Sequence, residues 1–309
     1  MIITLTMNPA LDKTMEVESL NLGGLNRVQN VQVDAGGKGI NVSKMIKCLG
    51  GMSLATGFVG GESGDKLLIT VEKLGLKHDF ITIVGETRTN IKVFDKKHGI
   101  TELNETGIIL TTQDEQNICD KLVELADEKE IFVLSGSLPA GVGANFYQKI
   151  ITRLKEKGAK VFLDADGEAF KLGIEAKPNY IKPNLYELTQ YFNVSENISL
   201  IEIKELCHKL IDSGIELVAV SMGEKGAMFV TSEKALYAEG LDVKASSTVG
   251  AGDSMIGTMV YGMEQKISLE DLIKLSMAAA SGAVMTEGTK PPTYELVEQL
   301  KGRVELREI

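Results

Sequence analysis

Short β-rich runs alternate with longer amphipathic runs through almost the whole chain, and that alternation leaves few architectures open. IITLT (2–6), LATGFVG (54–60), DFITIV (79–84), EIFVLSG (130–136), KVFLDAD (160–166), NYIKP (179–183), ELVAVSMG (216–223) and GAMFVTS (226–232) have strand character. Helical periodicity predicts helices over 39–49, 64–74, 113–127, 145–157, 200–213, 253–265 and 269–286. Strand followed by helix, repeated, gives a mostly parallel sheet covered on both faces. The unbroken apolar runs IFVLS and LVAVS fit strands buried on both sides.

Two segments break the rhythm. Residues 14–33 and 88–105 read as paired strands with no helix between them, the second turning at DKKHG. They predict a small antiparallel excursion, a β-lid of about 13–35 and 88–107, whose apolar positions such as Ile91 and Val93 need cover. Pairing with a second copy supplies that cover, so a homodimer through the lid is expected. No repeat or Pro/Ser-rich linker divides the chain, and 1–309 is read as one domain.

Charge and cysteine usage exclude several classes. The net charge is −10, without a basic arm or a Lys/Arg cluster interleaved with aromatics, so neither nucleic acid nor an anionic membrane is an expected partner. The N-terminal stretch lacks a basic segment leading into an apolar run, and no stretch reaches the ~18–20 apolar residues of a membrane span. A soluble, cytoplasmic protein is expected. Cys48, Cys119 and Cys207 are odd in number, widely spaced and set in predicted helices, as buried free thiols would be. His78, His98 and His208 have no metal-ligand or triad spacing.

Ligands of open α/β sheets bind beyond the carboxyl ends of strands. At those predicted ends lie NPALD (8–12), GSLP (136–139), KPNLYE (182–187) and SMGEKG (221–226), so all should face one crevice. The stretch SSTVGAGDS (246–254) ends on Asp253 where a glycine turn opens a helix. Asp253 can be a helix N-cap. Alternatively, the amides of Gly250, Ala251 and Gly252 grip an anion at the helix start while Asp253 takes a proton from an attacking hydroxyl. On that second reading the helix dipole should depress the Asp253 pKa. A second glycine turn, Gly36, Gly37 and Gly39, runs into a helix without the dinucleotide or P-loop spacing, and suits close approach to a sugar ring.

Together AGGKGINVSKMIKCLGG (35–51) and STVGAGDSMIGTMVYGM (247–263), with the stretches between them, resemble the two signature segments of the ribokinase-like (PfkB) carbohydrate kinases. The resemblance spans essentially the whole chain. It implies a ribokinase-like three-layer α/β sandwich with a mostly parallel central sheet and a small antiparallel β-lid. It also implies ATP-dependent phosphorylation of a sugar hydroxymethyl group, with ATP as donor and Mg²⁺ as cofactor. Matched position by position, it gives Asp253 as base and Gly250, Ala251 and Gly252 as the anion hole. Asn184 and Glu187 match the segment orienting Mg²⁺ through water; Ser221, Gly223 and Gly226 match the nucleotide loop, with Gly252 and Lys182 near the phosphates. Asp12, Gly36, Gly37, Asn41, Asn90 and Ser137 match the sugar site. TRTN (87–90) resembles the segment of the phosphofructokinase/tagatose-6-phosphate kinase branch that carries a phosphate-binding arginine, which implies Arg88, Lys38 and Arg27 as phosphate ligands and a ketohexose phosphate, foremost fructose 1-phosphate, as substrate. Tagatose 6-phosphate and fructose 6-phosphate remain alternatives; outside the class stand a non-catalytic sugar-phosphate sensor and a nicotinamide-dependent oxidoreductase.

Overall fold

The computed structural model describes residues 1–95, 97–286 and 288–309. Its strands are β1 (Ile2–Thr6), β2 (Ala10–Val17), β3 (Asn30–Gly36), β4 (Ser53–Val59), β5 (Lys77–His78), β6 (Ile81–Thr82), β7 (Arg88–Asp95), β8 (Gly99–Leu103), β9 (Ile131–Ser135), β10 (Lys160–Asp164), β11 (Tyr180–Ile181), β12 (Leu217–Ser221), β13 (Ala227–Val230), β14 (Ala235–Ala238) and β15 (Leu306–Glu308). The helices are α1 (Lys38–Cys48), α2 (Gly61–Lys73), α3 (Thr112–Glu124), α4 (Phe146–Glu156), α5 (Gly167–Glu175), α6 (Leu185–Phe192), α7 (Leu200–Asp212), α8 (Ala251–Glu264), α9 (Leu269–Val284) and α10 (Tyr294–Lys301).

The large sheet runs β15-β14-β13-β12-β11-β10-β9-β1-β4-β5, with β6 also on β4. It is parallel from β12 to β5 and antiparallel from β12 to β15. Side chains alternate between two cores, as the pleat requires. Ile3, Leu5, Phe132, Leu134, Val218 and Val220 pack with α3, α4, α5, α6 and α7. Ile2, Ile131, Val133, Leu217 and Ala219 pack on the opposite face with α1, α8 and α9. Both faces being covered explains why these strands read as continuous apolar runs.

Several elements depart from expectation. DFITIV does not form one strand; it contributes only the two-residue β6, after an equally short β5 at the sheet edge. NYIKP keeps only Tyr180–Ile181, while α5, α6 and α10 add helices that periodicity did not predict. Each is only eight or nine residues long, too short for a periodic signal to rise above its neighbours. All three cysteines are free, but Cys48 is half-buried where full burial was expected, because it lies at the end of α1 and donates to Pro292 O.

The excursion is a separate four-stranded sheet, β3-β2-β7-β8. Both expected hairpins are antiparallel, and they join through parallel pairing of β2 with β7. Lys96, in the DKKHG turn, lies outside the described residues. Asn90 and Lys92 line the cleft, whereas Ile91 and Val93 on the alternate positions are half-buried. The polar face therefore turns inward, toward a cavity instead of an apolar core. Val31, Val33, Phe94, Ile100 and Leu103 of this sheet are exposed.

Candidate active site

In-register pairing sets Thr6, Ser135 and Asp164 side by side at the carboxyl ends of β1, β9 and β10. Above them lies a cleft of about 500 Å³, closed on one side by the four-stranded sheet and on another by the starts of α1 and α8. Both helices begin at glycines with left-handed backbone, Gly37 at φ 118° and Gly250 at φ 85°, which a side chain would strain. Between the helices Gly257 leaves no room for a Cβ, which would lie 2.8 Å from the Met45 Cβ. This close packing brings Asn41 and Asp253 together across 212 residues of sequence, Asn41 Nδ2 donating to Asp253 Oδ2 at 2.8 Å.

Asp253 does not cap its helix. Gly250 is the N-cap and no side chain caps the turn. The first bond of α8 runs from Ser254 N–H to Gly250 O, so the amides of Ala251 and Gly252 have no acceptor within the helix. The expected depression of the Asp253 pKa is also reversed. Burial, reinforced by the Asp164 carboxylate, pushes it up to about 6 against the opposing effects of Asn41, Lys38 and Lys182. A helix start contributes at most ~2 kcal/mol, and desolvation of a buried carboxylate exceeds that here.

Asp164 is the group that sequence reasoning missed. Its Oδ2 pairs with Lys38 Nζ at 3.0 Å and its Oδ1 with Lys182 Nζ at 3.5 Å. Burial works to raise its pKa, but the two ammonium groups outweigh burial and hold it below the usual carboxylate range. Burial likewise works to lower the Lys38 pKa, and Asp164 with Asp253 reverses it, so the net shift is upward. Lys38 thus stands on the Asp253 side of the cleft. Lys182 overlies the α8 turn, its Nζ 3.3 Å from where a Cβ on Gly252 would be.

On the lid side, Asp12 receives Asn90 Nδ2 on Oδ1 at 3.0 Å and Lys92 Nζ on Oδ2 at 3.1 Å. Gly36 abuts the same carboxylate. Lys92, between Ile91 and Val93 on the same strand, is buried and paired. Arg88 gives Nη2 to Asn8 O at 2.9 Å, and burial lowers its pKa. Among the described residues, three polar atoms on the cleft wall are buried without a partner: Arg88 Nε, Asn90 Oδ1 and Ser135 Oγ. Buried orphans at a cavity wall are the contacts a polar ligand would complete.

Asn184 and Glu187 border the cleft, and their side chains also start a helix. Asn184 Oδ1 accepts Glu187 N–H at 2.8 Å and Glu187 Oε2 accepts Asn184 N–H at 2.9 Å, a capping box that starts α6. Burial raises the Glu187 pKa. Among the described residues no three His, Cys, Asp or Glu side chains are grouped to hold a metal ion. The donor set fits a hydrated Mg²⁺ carried largely by phosphate oxygens, since that ion keeps several waters and needs only one or two carboxylates.

A second cavity of about 770 Å³ adjoins the cleft, the two sharing Ser221 and Gly252. Gly223 and Gly226 line it on one side, and Leu241, Met255, Met277 and Val284 give it apolar walls. The structure thus gathers every expected site residue around these two cavities except Arg27, which is exposed in the loop between β2 and β3. Ser137 lines the cleft but is exposed, and its neighbour Ser135 is the buried hydroxyl.

The pattern of the pfkB family carbohydrate kinases matches residues 5–295. A 1-phosphofructokinase of Vibrio cholerae is 32% identical over 305 residues, 99% of this chain and 96% of the relative. A tagatose-6-phosphate kinase of Staphylococcus epidermidis is 30% identical over 311 residues, all of both chains. Among solved structures, phosphofructokinase-2 of Escherichia coli in complex with substrates and products superposes with a TM-score of 0.93 at 28% identity, covering 98% of each chain. The same E. coli protein is described elsewhere as a tetrameric inhibited form. No helix among the described residues is long and apolar enough to cross a membrane.

Proposed function

The chain belongs to the pfkB family of carbohydrate kinases and is a phosphofructokinase-type sugar-phosphate kinase, and from that premise we propose that it phosphorylates the free hydroxymethyl group of fructose 1-phosphate with Mg²⁺-ATP. The observation that carries the mechanism is Asp253, a buried carboxylate with a pKa near 6, set beside unpaired helix-start amides where the two cavities meet.

ATP occupies the larger cavity with its phosphates toward Gly252, and the sugar phosphate occupies the cleft under the lid. Arg88 and Asn90 meet the sugar phosphate with the buried atoms left unpaired by the protein. Phosphoryl transfer asks mainly for positioning and for positive charge on the migrating group. Lys38 and Lys182, held by Asp164, supply that charge from the side, and the amides of Gly250, Ala251 and Gly252 supply it from the helix start. Asp253 orients the attacking hydroxyl and takes its proton as the new P–O bond forms and the bond from the γ-phosphorus to the β–γ bridging oxygen breaks, releasing ADP. Asn184 and Glu187 would hold a hydrated Mg²⁺ through water, and that ion would supply positive charge to the phosphates of ATP.

The exposed Val31, Val33, Phe94, Ile100 and Leu103 support pairing of the lid with a second copy, which would also give the exposed Arg27 a partner surface to reach. An ADP-release panel with fructose 1-phosphate, tagatose 6-phosphate, fructose 6-phosphate and ribose, with and without Mg²⁺, tests the substrate reading. The highest kcat/KM is expected for fructose 1-phosphate and only with Mg²⁺. A higher kcat/KM for another acceptor overturns the substrate reading.

A further inference from the structure

The amide that touches Asp253 has two chemically opposite ends, and something must decide which one faces the carboxylate. Lys44, on the same helix as Asn41, is buried, with Nζ 3.1 Å from Asn41 Oδ1, 2.5 Å from Ala35 O and 3.4 Å from Thr289 Oγ1. An ammonium has three N–H donors and no acceptor, so these three oxygens use all of it. With Oδ1 claimed, Asn41 can present only Nδ2 to Asp253.

We propose that Lys44 is a positioning residue for phosphoryl transfer: by holding Asn41 Oδ1 it keeps an N–H donor on Asp253 Oδ2 and leaves Oδ1 of that carboxylate to the acceptor hydroxyl. The proposal rests on the reading of Asp253 as the base. Freed from Lys44, Asn41 can turn its amide over and set oxygen against oxygen. That contact favours the protonated carboxyl, so as pH falls the base would be protonated already at a higher pH than in the wild type.

The other charges around the pair bear on this expectation. Lys38 of α1, Asp164 of β10 and Lys182 beyond β11 face Asp253. Asp34 of β3, Asp12 of β2, Asp253 of α8 and the like-charged Lys92 of β7 face Lys44. Burial dominates at Lys44 and lowers its pKa. A charge opposed by burial is retained here with three carboxylates facing it and all three donors directed.

The test is the pH profile of kcat at saturating substrates for wild type, Lys44→Met, Lys44→Gln, Asn41→Ala and Asn41→Ala/Lys44→Met. Lys44→Met should lower kcat at pH 7 roughly 10–100-fold, the scale of a misplaced catalytic group. Its acid limb should move up by about half a unit or more, while KM for ATP stays within about twofold. In Lys44→Gln the amide N–H groups can meet Asn41 and Ala35 and the oxygen can accept from Thr289, so the acid limb should return to its wild-type position. With Asn41 already Ala, adding Lys44→Met should shift the limb no further. A wild-type acid limb in Lys44→Met, or the full Lys44→Met shift in the Asn41→Ala background, overturns the proposal. If the Met variant fails to fold, Lys44→Gln decides, an upward-moved limb refuting the link and an unmoved one supporting it. Were Asp253→Asn to keep wild-type kcat, the failure would lie in the base reading itself, and the Lys44 proposal would fall with it.

Discussion

Replacing Asp253 by Asn should stabilise the protein while disabling it, and the structure sets the size of the gain. The Asp253 pKa rises from 3.8 to about 6 on folding, a difference worth about 3 kcal/mol once the carboxyl is ionised in both states. A carboxyl whose folded pKa lies above its unfolded one contributes stability at low pH and loses it as pH rises through the folded value. The wild type therefore bears the full cost of a buried charge above pH 7. An Asn at 253 carries no charge and can still accept from Asn41 Nδ2 through its carbonyl oxygen. At pH 8 the variant should gain up to about 3 kcal/mol, seen as a melting temperature higher by roughly 5 °C for a chain of this size. At pH 5, where the folded carboxyl is mostly neutral and the unfolded one mostly ionised, the gain should fall to about half. Thermal melts of both proteins at the two pH values check this. A melting temperature at or below wild type at pH 8, or a gain independent of pH, would refute the reasoning that burial and Asp164 raise this pKa.

Three further outcomes follow from the lid and its contacts. Arg88→Ala should raise KM for the phosphosugar far more than KM for ATP, because Arg88 lies on the cleft and not on the adjoining cavity; equal effects in steady-state kinetics would remove it from the sugar site. Lys92→Met leaves the buried Asp12 carboxylate without its ammonium partner and should cost about 3 kcal/mol in urea unfolding, the lower end for a broken buried pair because Asp12 borders the cleft; a loss under about 0.5 kcal/mol would mean that the pair is solvated. Light scattering at micromolar concentration should give the mass of a dimer, and a monomer would leave the apolar lid residues uncovered.

What could be read from sequence divides according to how local the physics is. IFVLS and LVAVS announce buried strands because each carries its own apolar signal on both faces. The glycine turns at 36–37 and 250–252 announce helix starts because the left-handed backbone at Gly37 and Gly250 is likewise a local demand. The start of α6 was legible as well: Asn184 and Glu187 stand at capping-box spacing, and the helix they begin is too short to show periodicity of its own. Asp164 sits at a strand end where ligand groups are expected, and that position was its only sequence signal. Nothing in the sequence singles out Lys92 or Lys44, since burial of a charge depends on partners far away in the chain. Lys92 meets Asp12 across 80 residues and Lys38 meets Asp164 across 126. The sign of the Asp253 shift was lost in the same way: the helix dipole is local and legible, whereas desolvation and Asp164 arrive only with the fold.

Everything in the proposed mechanism passes through one proton at one atom, so the decisive number is kcat for Asp253→Asn with saturating fructose 1-phosphate and ATP. Loss of a general base should lower it by roughly 10²–10⁴-fold, with KM for either substrate changed little. A variant turning over within about threefold of wild type would contradict the account and leave Asp253 as a structural residue at the start of its helix.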